Sequence, residues 1–367
     1  MQDQGFPVIE YPLHRSPRQW GQMHGEMFRQ GIAELIEIRT RLMQEKNPGL
    51  TCERLVELAD EQWEATRQFD SRLHEELAGI AEGAGTSVAD IVILNNYTDF
   101  RDISVRDQGC SAVFVTYGGR PVSGQTWDMH GSARNYVCCL TVPCEGYDVP
   151  AVMFSLVGCV GMMGFHPAGQ MVGINNINTD GARAGAIWPV VVRSVLNQPD
   201  HDSMIQCLKT APVTSGHSWL VATLQAGEFW EVMPELAERV GWLPVSEEGY
   251  LFHTNHCLGE QARQRELILA RNTTTHIRYE LLKKKVGDVR EFEALYALLN
   301  DHENYPKSIC SNFQSDAQDP SVTCGGGLGD LGSGRVHMWR GDAEYDSNFV
   351  LREFELGPPS RETGQPR

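Results

Sequence analysis

The chain is informative first for what it lacks. No stretch approaches the run of about 18 apolar residues that a membrane-spanning helix needs. Its beginning, MQDQGFPVIEYPLHR, has neither the basic start nor the apolar core of a signal peptide. Basic residues are in deficit, 31 Lys and Arg against 48 Asp and Glu, and the net charge of −17 argues against nucleic acid or an anionic membrane surface as partner. No tandem repeat or low-complexity block is present. Zinc spacing is missing: His253, His256 and Cys257 have no second Cys/His pair near them, so no metal is expected. Gly325-Gly326-Gly327-Leu328-Gly329 lacks the Gly-Lys-Ser/Thr ending of a phosphate loop and reads as a flexible loop. Ten scattered cysteines without a secretion signal fit reduced thiols in a cytoplasmic protein better than a disulfide framework. What remains is an ordinary globular composition, 41% hydrophobic and 22% charged, free to form a homo-oligomer.

The most telling stretch runs from Asp107 to His130, DQGCSAVFVTYGGRPVSGQTWDMH. Gly109-Cys110 places a small residue before a potential nucleophile. Ala112, Phe114 and the residues up to Tyr117 alternate with a period of two, as in a half-buried strand. Gly118-Gly119-Arg120-Pro121 is a turn, and a second strand leads to Trp127-Asp128. The hairpin would return Asp128 to the side of Cys110. Were the bond between Gly109 and Cys110 cut, Cys110 would carry both a thiol and an α-amine of pKa about 7.7–8.0, a nucleophile and its base on one residue. The plainer alternative is a buried structural cysteine at the start of a strand.

Elsewhere the order is helices first, strands after. A long amphipathic helix is predicted from Ser16-Pro17 to about Lys46, weakened at Gly21, Gly25 and Gly31. Further helices are predicted over Glu53–Phe69 and Ser71–Glu82, and after a Ser87/Asp90 capping pair. From Cys110 onward strands dominate, with helices near 186–197, 201–210, 259–285 and 288–300. Separate blocks of helix and strand argue for an α+β layered domain. Asn255, ending a strand, could donate a hydrogen bond to a developing oxyanion or simply satisfy turn backbone. Asn175-Asn176 could line a pocket or turn the chain.

Gly109-Cys110-Ser111, Gly124-Gln125-Thr126-Trp127-Asp128 and Thr254-Asn255-His256, in that order, resemble the acyl-CoA:6-aminopenicillanic acid acyltransferase family, the isopenicillin N acyltransferases among the N-terminal-nucleophile hydrolases. Leu77–Gly85, Val172–Asn176 and Ser308-Ile309-Cys310 extend the likeness over roughly residues 15–350. The resemblance implies a four-layer αββα sandwich with a helical N-terminal segment. It implies self-cleavage of a zymogen at Gly109-Cys110 into a helical α chain (1–109) and a catalytic β chain (110–367) that remain partners. Cys110 would match the nucleophile, Asp128 the carboxylate orienting the new amine, and Asn255 the oxyanion donor. Two positions depart from the family pattern: Thr126 stands where Asn is common, and Ser311 where an Arg often follows Ser-Ile-Cys.

The expected activity is hydrolysis of a small N-acyl amide or peptide-like amide through an acyl-thioester on Cys110, without metal or redox cofactor. Transfer of an acyl group from a CoA thioester or an amide to an amine is the alternative within that chemistry. Trp127, Met162 and Phe165 are candidate walls of an apolar acyl pocket, with Asn175 and His253 as candidate polar contacts. Two other classes stand beside it. One is a papain-like cysteine protease using His217, His253 or His256 as base; the other is a non-catalytic binding protein on the same scaffold.

Overall fold

The computed structural model describes residues 5–47, 49–102, 109–267, 274–312, 319 and 321–359. Its strands up to the chain's middle are β1 (Val8–Glu10), β2 (Cys110–Tyr117), β3 (Arg120–His130), β4 (Val137–Val142), β5 (Ala151–Leu156), β6 (Met163–His166) and β7 (Gln170–Asn176). Then come β8 (His217–Ala222), β9 (Ala226–Met233), β10 (Leu236–Pro244), β11 (Gly249–His253), β12 (Ser321–Asp330), β13 (Arg335–Arg340) and β14 (Val350–Glu355). The N-terminal helices are α1 (Pro17–Met27), α2 (Arg29–Lys46), α3 (Cys52–Phe69), α4 (Ser71–Ala84), α5 (Val88–Asn95) and α6 (Tyr97–Asp102). The later ones are α7 (Trp188–Leu196), α8 (His201–Thr210), α9 (Glu260–Arg265), α10 (Thr275–Lys285) and α11 (Phe292–Leu299).

The strands form two sheets, one of eight in the order β1-β4-β5-β6-β7-β8-β9-β10 and one of six in the order β11-β2-β3-β12-β13-β14. They stack face to face, with β2 and β3 against β7, β12 against β6 and β13 against β4. Helices α7 and α8 cover the eight-stranded sheet, and α10 and α11 cover the six-stranded one. The result is the four-layer αββα sandwich expected from the resemblance. Both inner faces are apolar, so β2 is buried along nearly its whole length, as a strand roofed on both sides must be.

Several elements differ from the sequence reading. The long first helix breaks at Phe28 into α1 and α2. Gly21 and Gly25 of α1 face Gly79 and Gly83 of α4 so closely that a Cβ on any of them would run into backbone atoms of the other helix. Those glycines are therefore a helix-crossing surface. The glycine-rich stretch 325–329 is no loop but the middle of β12. There the missing side chains make room for rings: Trp339 lies over Gly326, and Phe165 lies over Gly327 and Gly329. The expected helix 259–285 begins as α9 and resumes as α10, and 268–273 fall outside the described residues. Helices α1–α6 are joined to the sandwich through one shared apolar core, and through buried polar contacts such as Arg193 of α7 on Glu76 of α4 at 2.7 Å. No single described helix is long and apolar enough to cross a membrane.

Candidate active site

The β2–β3 hairpin forms as the sequence indicates, with Cys110 opposite Trp127. That register brings Asp128 against the residue preceding Cys110, and the Asp128 backbone N–H donates to the Gly109 carbonyl at 2.8 Å. Gly109 is compulsory on steric grounds, because a Cβ there would overlap Oδ2 of Asp128. The other carboxylate oxygen, Oδ1, accepts from Thr323 Oγ1 at 2.7 Å. Oδ2 itself is buried with no hydrogen-bond partner among the described residues. Burial pushes the Asp128 carboxyl up to about 6, against the opposing pull of Arg278 and Thr323. Burial, reinforced by the charge of Asp128, pushes the Cys110 thiol up to about 12. Within the continuous chain this thiol is thus a poor nucleophile.

Asn255 lies beside Cys110. Its Oδ1 accepts the Cys110 backbone N–H at 2.7 Å and Nη2 of Arg278 at 2.8 Å. Its Nδ2 donates to the Asn176 carbonyl at 2.8 Å. Both groups facing Oδ1 are donors only, so the amide orientation follows from its partners. Asn255 thus holds the nitrogen of Cys110 as an acceptor, and its side chain also reaches the thiol, where it works against the upward push of burial. Arg278, which the sequence reading missed, is fully buried and also donates to the Cys110 carbonyl at 2.5 Å and to Ser111 Oγ at 3.0 Å. Its signal was a lone arginine on the same face of α10 as the buried Leu281 and Leu282.

The two departures from the family pattern have identifiable places. Thr126 Oγ1 accepts the Ser111 N–H at 3.1 Å. The Ser311 N–H donates to Thr323 Oγ1 at 2.7 Å, and that hydroxyl in turn holds Asp128. Where an Arg would bring a charge, this chain supplies a neutral chain of hydrogen bonds. The cation beside Asp128 comes instead from Arg278.

A small cavity of about 20 Å³ opens on Cys110, lined by Thr98, Trp127, Met129, Ile174, Asn176, Trp188 and His217. Trp127 is thus a wall, as anticipated, but the other expected contacts are not. Met162 is buried in the core, and Phe165 is occupied against the glycines of β12. Asn175 uses its amide to tie the carbonyls of His253 and Thr254. His253 is paired with Glu231 at 2.8 Å, and His256 faces Thr275 Oγ1 at 3.1 Å. Of the three histidines considered as bases, only His217 reaches the cavity, and burial depresses its pKa to about 4. A larger groove of about 900 Å³ between β1 and β14 lies away from Cys110. His302, Cys310 and Asp342 bring ligand-type atoms within 4.8 Å of one another. In this cluster both His302 and Cys310 are hydrogen-bonded to the Asp342 carboxylate.

Comparison with known proteins places this geometry in context. Residues 115–324 match the family model described as acyl-coenzyme A:6-aminopenicillanic acid acyl-transferase. The chain is 28% identical over 323 residues to the 40 kDa form of acyl-coenzyme A:6-aminopenicillanic-acid-acyltransferase of Emericella nidulans, covering 84% of this chain and 85% of the relative. Among solved structures, it is similar to a Caenorhabditis elegans ortholog of N-acylethanolamine-hydrolyzing acid amidase (TM-score 0.43, 13% identity, 61% of this chain and 93% of that one). It is also similar to a mutant conjugated bile acid hydrolase of Clostridium perfringens (TM-score 0.41, 10% identity, 67% and 92%). The chain belongs to the acyl-coenzyme A:6-aminopenicillanic acid acyl-transferase family, and its chemistry is acyl transfer or amide hydrolysis.

Proposed function

We propose that the protein is a self-cleaving cysteine amidohydrolase whose nucleophile is Cys110, acting on a small N-acyl amide. The observation that carries this reading is the setting of one peptide bond. The carbonyl of Gly109 is polarised by the Asp128 N–H, the nitrogen of Cys110 is held by Asn255, and the unpartnered Oδ2 of Asp128 is packed against Gly109. In the precursor, Cys110 Sγ attacks the Gly109 carbonyl carbon, the thiol proton passes to the Cys110 nitrogen, and the carbon–nitrogen bond breaks to leave a thioester and a free amine. Water then hydrolyses the thioester, giving chains 1–109 and 110–367. The buried contacts between α4 and α7, together with the shared core, would keep them associated.

Once free, the amine changes the electrostatics of the site. With a pKa of about 7.7–8.0 it accepts the thiol proton, and the resulting ammonium stabilises a thiolate that burial alone disfavours. Sγ attacks the substrate carbonyl, and the leaving amine departs with the proton held by the ammonium. Water next adds to the thioester, and Sγ leaves and is reprotonated. The cavity walls of Trp127, Met129, Ile174 and Trp188 suit an apolar acyl group. The test is turnover of a panel of N-acyl amides by the purified protein and by Cys110→Ala. The expected result is thiol-dependent hydrolysis lost in the variant; hydrolysis that survives in Cys110→Ala rules the reading out.

A second reading is acyl transfer to an amine, favoured by the name of the Emericella nidulans relative. Adding hydroxylamine during turnover separates the two. An acyl hydroxamate formed at the expense of free acid marks transfer, and free acid alone marks hydrolysis.

A further inference from the structure

Three side chains from separate segments converge away from the Cys110 cavity: His302 after α11, Cys310 before β12 and Asp342 after β13. An imidazole, a thiol and a carboxylate together make a donor set that zinc takes. Asp342 Oδ2 is 2.9 Å from His302 Nε2 and 3.4 Å from Cys310 Sγ, and all three ligand atoms lie within 4.8 Å of one another. Zinc bonds of about 2.0–2.3 Å in a tetrahedron put neighbouring ligand atoms about 3.3–3.6 Å apart, so shifts of about 1 Å or less suffice. Each ligand is also held from its far side. Oδ1 of Asp342 accepts the backbone N–H groups of Glu344 and Tyr345 at 2.9 and 3.3 Å, which turns Oδ2 toward the other two. Nδ1 of His302 faces Glu344 Oε2 at 3.1 Å, the carboxylate support that fixes the ring of a ligating histidine and leaves Nε2 for a metal. The Cys310 backbone N–H donates to the Asp301 carbonyl at 3.0 Å. Cys310 and Asp342 are buried, while His302 keeps partial exposure and supplies the way in. No local spacing betrays this set, because its members are far apart in the chain.

We infer that His302, Cys310 and Asp342 form a binding site for a thiophilic divalent cation, zinc above all, with a fourth position left for water. The inference stands apart from the assignment of Cys110 as nucleophile. Without the cation, the Cys310 thiol donates to the Asp342 carboxylate. On binding, the proton on sulfur and any proton on Nε2 pass to solvent, and thiolate, imidazole and carboxylate each form a bond to the cation. Magnesium and calcium, which take oxygen ligands, suit this set poorly. The bound ion ties together the segment after α11, the approach to β12 and the loop after β13. It therefore stabilises the fold, as any ligand of the native state does.

Cobalt(II) is the probe, since it occupies zinc-type sites and reports sulfur ligation through a thiolate charge-transfer band in the near ultraviolet. Chelator-treated protein titrated with cobalt should develop that band at one equivalent, and added zinc should bleach it. Cys310→Ser and His302→Gln should lose the band, whereas Cys110→Ala should keep it. Glu344→Gln alters an exposed side chain, should fold normally, and should weaken binding by about 10-fold or more. In thermal melts zinc should raise the denaturation midpoint of the unsubstituted protein, and magnesium should not. The inference is overturned if no band forms at one equivalent, or if the band survives in Cys310→Ser or His302→Gln, which would place the metal on other groups. Loss of the band in Cys110→Ala, binding as tight in Glu344→Gln as in the unsubstituted protein, or a midpoint that zinc leaves unmoved would overturn it equally.

Discussion

Gly109 and Asp128 are in contact, and each offers a test at the scale of one residue. Gly109→Ala puts a methyl group onto Oδ2 of Asp128, and a carboxylate held by Thr323 and the surrounding core cannot easily retreat. The variant should remain mostly uncut, scored as the fraction of full-length chain on a denaturing gel after prolonged incubation; cleavage at the normal rate would show that this contact is not needed. Asp128 also fixes a pH dependence. Its carboxyl is raised to about 6 in the folded chain, against about 3.9 when unfolded. The folded state therefore holds the proton more tightly, and the contribution of Asp128 to stability is greatest below about pH 4, falls as pH rises through about 6, and is level beyond. The loss is on the order of 3 kcal/mol. In a Cys110→Ala background, which keeps one uniform chain, Asp128→Asn should erase that step in a series of urea melts across pH. Identical profiles for the two proteins would contradict the assignment. At this scale the sequence was most readable where chemistry is local: Gly109, Cys110 and Asp128 sit on one hairpin, so turn chemistry alone brings them together. Arg278 was not readable as a site residue, because its role depends on contacts between elements distant in the chain.

Among elements, the crossing of α1 and α4 carries the sharpest expectation. Gly79→Ala would normally favour a helix by about 1 kcal/mol. Here the new Cβ meets backbone atoms of Arg18 and Gln22, which cannot rotate away. Overpacking costs about 1–3 kcal/mol, so the net effect should be destabilising and visible as a lower denaturation midpoint with an unchanged slope. A more stable variant would mean that the helices are not in backbone contact. The start of α1 at Ser16-Pro17 and the Ser87/Asp90 cap of α5 were legible, and the structure adds Gln19, which closes a capping box with Ser16. The break at Phe28 and the strand through residues 325–329 were not. In both places glycine signals weakness locally, but close packing against a neighbouring helix or ring reverses its meaning.

At the scale of the whole molecule, block order in the sequence indicated an α+β fold, while the four layers came from family resemblance rather than from periodicity. The reason is physical: both sheets are covered on both faces, so their central strands read as continuous apolar runs that do not reveal which face meets the other sheet. The same burial gives the division at residue 110 its consequence. Cutting there would free an amine at the head of a central strand, where Asn255, Asp128 and Arg278 already surround it. The most direct measurement is denaturing mass spectrometry of the purified protein beside its Cys110→Ala variant. Two chains with masses corresponding to 1–109 and 110–367 in the first, and a single full-length chain in the second, are the expected result. One intact chain in both, or the same two fragments in both, would contradict the claim that Cys110 cuts its own chain to become the nucleophile.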